Sequence, residues 1–193
     1  MQAQGLKRAG LPGDPGLWVF ILADMTAFAL FFLLFTLGRM GDPALFEQSR
    51  LALDPAFGIA NTLILLTSSW MMVQAVEAVR TGSRRRALLF LVLTIGIGLG
   101  FAVTKIVEYA GKIQAGITML TNDFFMYYFA FTGIHFLHFV IGIGALLVTL
   151  AKARSAPMDD GLRRWTESVG CYWHMVDLLW IMLFPMLYLQ RLS

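Results

Sequence analysis

Seven side chains in this sequence could take up, give away or share a proton while surrounded by apolar residues: Asp24, Lys105, Glu108, His135, His138, His174 and Asp177. Six of them fall into pairs three residues apart, namely Lys105 with Glu108, His135 with His138, and His174 with Asp177. On a helix that spacing puts both members of a pair on one face. Imidazoles and carboxylates so placed support three kinds of chemistry: they relay protons, ligate a metal or haem iron, or fasten helices by hydrogen bonds and ion pairs. Leaving a carboxylate at the centre of a membrane helix costs about 2.5–3.5 kcal/mol, so each is expected to face protein and be paired or protonated.

The three chemistries are weighed differently by the spacing. Bis-histidine haem ligation needs two rings facing each other from different helices, so only His174 with His135 or His138 remains as a pair. A metal centre wants three or four ligands, and the sequence offers two histidines and a carboxylate. Cys171 is the only cysteine, which leaves no intrachain disulfide and no cysteine cluster. A proton relay would run through Asp24, His138, His174 and Asp177. At a rise of about 1.5 Å per residue, Asp24 lies about 10 Å, His174 about 9 Å, Asp177 about 13 Å and His138 about 18–20 Å from one membrane face. Asp24, His174 and Asp177 are therefore expected to meet in one buried cluster with His138 on its flank. Lys105 and Glu108 lie near the other face, as an internal ion pair or with Lys105 reaching to the headgroups. The favoured reading is structural: these groups lock a bundle and its contact with a larger partner, with no cofactor and no catalysis of their own.

The elements that must hold them are membrane helices. The chain has 193 residues, 58% hydrophobic and 14% charged, with a mean hydropathy of +0.70. That composition excludes an ordinary soluble domain. The net charge of +3 comes from residues between the apolar runs, so it does not point to nucleic acid. Five runs are long enough to cross a bilayer, at about residues 17–37, 56–79, 87–109, 124–151 and 168–189. One bundle of five spanning helices, a single domain over 1–193, is the expected fold. Met1–Gly16 lacks the pattern of a cleavable signal peptide. Lys7, Arg8, Arg80, Arg84, Arg85, Arg86, Lys152, Arg154, Arg163 and Arg164 share one side; Arg39, Arg50, Lys112 and Arg191 share the other. The positive-inside rule then puts the N-terminus in the cytoplasm and the C-terminus outside.

Local signals add detail. Phe28, Phe31, Phe32 and Phe35 make one stripe at helical spacing. Gly41-Asp42-Pro43 and Asp54-Pro55 read as turns. Asn61, Thr62, Thr67, Ser68 and Ser69 supply polar groups for bonds across helices or back to their own carbonyls. Gly96 and Gly100 have the spacing that lets helices approach closely. Pro185 removes a backbone donor, so a kink is expected there.

Several of these stretches resemble, in order, subunit III of the haem-copper oxidases. Asn61-Thr62 with Leu65-Leu66 and Ser68-Ser69, Glu108-Tyr109, Thr132-Gly133-Ile134-His135-Phe136-Leu137-His138 with Gly142, and Trp173-His174-Met175-Val176-Asp177 carry the resemblance. It covers all five spans and implies a cytochrome c oxidase subunit III-like fold. It also implies a subunit that binds no haem or copper, packs against the catalytic subunit I, holds lipids in a cleft and sustains proton uptake. Asp24 stands where oxidases of the family usually carry a glutamate. That aspartate, the phrase Trp18 to Met25, Lys105 before Glu108-Tyr109, Thr121 to Phe125 and Cys171-Tyr172 look more like the NorE branch, associated with bacterial nitric oxide reductase. The resemblance therefore implies a multi-pass protein of the bacterial inner membrane, accessory to nitric oxide reductase. Subunit III of a terminal oxidase is the alternative, and a small independent transporter or haem protein a remote one. The implied partners are the catalytic subunit of one of these enzymes and membrane lipids.

Overall fold

The computed structural model describes residues 14–189, and among them the fold is entirely helical. Five helices are long and apolar enough to span a membrane: α1 (Pro15–Gly41), α3 (Pro55–Arg80), α4 (Arg84–Gln114), α5 (Asp123–Ser155) and α6 (Asp160–Phe184), which runs on through a π-helical turn, Pro185–Leu189. Each overruns its apolar stretch because polar residues form the end turns. A short helix, α2 (Pro43–Arg50), lies between α1 and α3.

The helix starts follow from side-chain chemistry. Asp14, Asp42 and Asp54 each precede a proline and accept a bond from the backbone of the first turn, to Gly16, Leu45 and Ala56 respectively. A cap followed by proline is a strong start signal, since proline lacks the N–H that the first turn leaves unpaired. The two aspartate–proline pairs read as turns thus open helices, and α2 is the element that the sequence reading lacked. Pro185 likewise does not simply bend α6. It has no N–H to donate to the carbonyl of Ile181, and the backbone widens into the π-turn.

The bundle is built around α6. Trp173, Val176, Leu179, Trp180 and Leu183 are fully enclosed by α3, α4 and α5. α3 and α4 form a tight antiparallel hairpin through Thr81–Ser83, where Gly82 turns the chain at φ +72°. Two glycines admit the Trp173 ring. A Cβ on Gly98 would stand 3.0 Å from it, and one on Gly142 2.8 Å. Gly96, by contrast, has open space beside it, and Gly100 meets only Ile64 at ordinary distance. Close approach therefore happens at Gly98, on the other face of α4 from the expected pair. α1 is peripheral. It buries Ile21, Phe28 and Phe35, seven residues apart, and stacks Phe31 on Phe131 of α5 at 5.5 Å.

Candidate functional site

The seven ionisable groups do not gather into one site. The structure distributes six of them over three helix contacts, each with its own partners, and sets His135 apart at the α5–α6 contact.

Asp24 meets His138 across the α1–α5 contact, with Oδ1 3.1 Å from Nε2. The other ring nitrogen, Nδ1, lies 2.8 Å from the carbonyl of Ile134. A carbonyl only accepts, so Nδ1 carries a hydrogen. A bond between Nε2 and the carboxyl then requires a second proton, on the imidazole or on Asp24. The second carboxyl oxygen of Asp24 has no partner among the described residues. Phe28 packs edge-on against the His138 ring at 5.8 Å.

His174 and Asp177 belong to the α3–α6 contact. Nδ1 of His174 bonds the hydroxyl of Ser69. Asp177 is buried, and neither of its oxygens has a partner among the described residues. The expected cluster of Asp24, His174 and Asp177 does not form. The rise per residue placed His138 well beyond Asp24 in depth, yet Asp24 points across to α5, and His138 is its partner rather than a flanking group. His135 faces α6, one turn from His138 and in another direction. Its Nε2 donates to the carbonyl of Val176 at 3.0 Å, and its ring sits against Phe101 and Trp180. Neighbouring polar bonds knit the same region: Ser68 donates to the Thr94 carbonyl, Trp173 to Ser68, Trp180 to Thr62, and Asn61 meets Thr104.

The third contact encloses Lys105 and Glu108. Both are buried, and Nζ lies 2.9 Å from Oε2. The ammonium also donates to the hydroxyls of Tyr128 at 3.3 Å and Tyr188 at 3.1 Å, while Tyr188 donates to Glu108 at 2.6 Å. Four aromatic rings stand 5.0–5.7 Å from the charge. Lys105 thus stays inside rather than reaching for headgroups. Tyr128 was not singled out by sequence; a buried tyrosine hydroxyl needs a partner, and that need is the signal that would have found it. Arg50 of α2 closes this end by donating to the Tyr188 carbonyl and pairing with Glu47, which raises its guanidinium pKa further.

No three metal-ligating side chains converge among the described residues. Polar groups spent on helix contacts, the order of the motifs and five spans lead to one comparison. The chain matches cytochrome c oxidase subunit III from residue 9 to residue 191. It belongs to that family. Quinol oxidase subunit 3 of Bacillus subtilis is 30% identical over 92% of this chain and 87% of its own length. Cytochrome c oxidase subunit 3 of Alkalihalophilus pseudofirmus is 29% identical over 95% and 91%. Haem-copper oxidase subunit I+III of Aeropyrum pernix is 28% identical over 90% of this chain and 22% of its own length. These relatives are oxidase subunits, and the comparisons do not select the NorE branch. Five apolar helices and membership of this family make the chain a multi-pass plasma-membrane protein.

Proposed function

We propose that the chain is a non-catalytic accessory subunit of a respiratory haem-copper oxidase, of the quinol- or cytochrome c-oxidising kind. The observation that carries this reading is the family match across 9–191, with relatives named as subunit 3 of such oxidases. A relative whose name joins subunits I and III supports the catalytic subunit I as the neighbour. In this reading Asp24, Lys105, Glu108, His135, His138, His174 and Asp177 fasten helices, with lipids filling the surface between proteins. The whole chain acts as one unit, with the Arg-rich loops in the cytoplasm.

A second reading, accessory protein of nitric oxide reductase, is favoured by a specific observation. Asp24 and Lys105, residues in which the sequence departs from the usual oxidase pattern, each meet a polar partner inside the bundle, His138 and Glu108 respectively. Purification of the tagged chain in mild detergent tests both. A partner with copper, haem and oxygen-consuming activity supports the first; a partner that consumes nitric oxide supports the second. A Soret band or turnover in the chain alone overturns both and returns the independent haem protein or transporter.

A further inference from the structure

One face of the bundle carries hydrogen-bonding groups that lipid tails cannot satisfy. A groove of about 310 Å³ runs between α3 and α6 from the basic end of the bundle, lined by Gln74, Glu77, Arg80, Glu167, Cys171 and His174 among others. At its rim Arg80 is spent on Glu167 at 2.8 Å, and Arg163 is shared between Asp160 and Glu167. Glu77 is exposed and has no partner among the described residues, so an unpaired negative charge remains. Gln74, half-buried about 9 Å below Arg80 along α3, has an amide with no partner among the described residues. Deeper still, His174 uses Nδ1 on Ser69, and its other nitrogen has no partner among the described residues.

The apolar part of the same face has its own anomaly. Ile59, Leu63, Leu66, Trp70 and Val73 recur at alternating four- and three-residue intervals and are all exposed. Such a seam suits lipid or protein equally. Trp70 decides between them. It is 61% exposed, and it lies about 15 Å along α3 from Arg80, well below the interface where tryptophan settles in a lipid-facing helix. Its indole N–H has no partner among the described residues. Acyl chains offer no hydrogen bonds to Trp70, Gln74 or His174. An anionic phosphate headgroup would meet the excess carboxylate at the rim.

We infer that this α3–α6 face is the docking surface for a transmembrane helix of the catalytic partner, one that carries a Lys or Arg near the end facing Glu77. Trp70 inserts into that helix, Gln74 and His174 exchange hydrogen bonds with it, and Glu77 neutralises its cation. Aromatic anchors and paired charges of this sort dominate interface energies. The inference rests on the accessory-subunit reading.

The chain's sole cysteine lies inside the groove and reports on it. The intact complex and the isolated chain are treated with a small membrane-permeant maleimide, and haem retained per tagged chain is measured for wild type, Trp70→Ala, Glu77→Lys, Glu77→Gln and Val103→Ala. Val103 is an equally exposed residue on α4. Cys171 is expected to react in the isolated chain and to be protected in the complex. Glu77→Lys and Trp70→Ala are expected to lower retained haem by about tenfold or more, Glu77→Gln by less, and Val103→Ala not at all. If every variant retains its haem-containing partner and Cys171 reacts in the complex, this face is wrong and the accessory reading stands. If Cys171 is protected in the isolated chain by a co-purified lipid or quinone, an amphiphile and not a helix fills the groove. If the wild-type chain travels alone, the accessory reading falls and takes this occupant with it.

Discussion

The ammonium of Lys105 has three N–H groups, and Glu108, Tyr128 and Tyr188 take one each. A fully bonded charge is tolerable in the membrane; a half-bonded one is not. Lys105→Met should therefore destabilise the protein by about 3–5 kcal/mol, because it strands the Glu108 carboxylate. Lys105→Met with Glu108→Leu should recover most of that loss. Thermal unfolding in detergent, followed by far-ultraviolet circular dichroism, checks both. Tyr188→Phe should cost about 1.5–3 kcal/mol by the same measurement, since it removes a bond to a charged oxygen. The Lys105–Glu108 pair was legible in the sequence because three-residue spacing on one helix fixes both members. The Asp24–His138 pair was not. Rise per residue placed the two at different depths, and partnership depends as well on how each helix is rotated about its axis. His135 and His138 show the point: three residues apart, they face α6 and α1.

At the scale of helices, the decisive contact is aromatic ring against backbone. Gly142 lets Trp173 lie on α5, and no side chain fits there without displacement of a fully packed indole. Gly142→Ala should cost about 1–3 kcal/mol. Gly144→Ala, where a Cβ meets nothing within 4 Å, should be neutral or stabilise by up to about 1 kcal/mol through helix propensity. Comparing the two unfolding midpoints checks the contact and controls for the glycine itself. The five spanning helices were legible because twenty-residue apolar runs have few other fates. Their mutual packing was less so. Gly96 and Gly100 satisfy the small-residue spacing, yet Gly98 faces the tryptophan, and spacing alone does not say which side of α4 is turned inward. α2 escaped notice because its Pro43–Arg50 sequence is short and only half apolar. Its cap at Asp42 was visible; Asp42→Ala should loosen α2 by about 1 kcal/mol, seen as faster amide exchange over residues 43–50.

For the molecule as a whole, charge asymmetry predicts orientation. Alkaline phosphatase fused after Ser193 should be active, and the same enzyme fused within the 81–83 turn inactive; the reverse pattern would invert the bundle. The resemblance across motifs made the family readable from sequence, while the identity of the respiratory partner was not, since residues that fasten helices serve any partner alike. The burial of α6 has a further consequence. The helix on which the other four pack is the last of the five to leave the ribosome. At roughly 5–20 residues per second, the α3–α4 hairpin waits about 3–12 s for Trp173 to arrive. During that interval the notch at Gly98 lies open in the bilayer. A pause or premature stop before Asp160 would leave four helices without a centre, and such chains should be cleared by membrane proteases before they meet any neighbour.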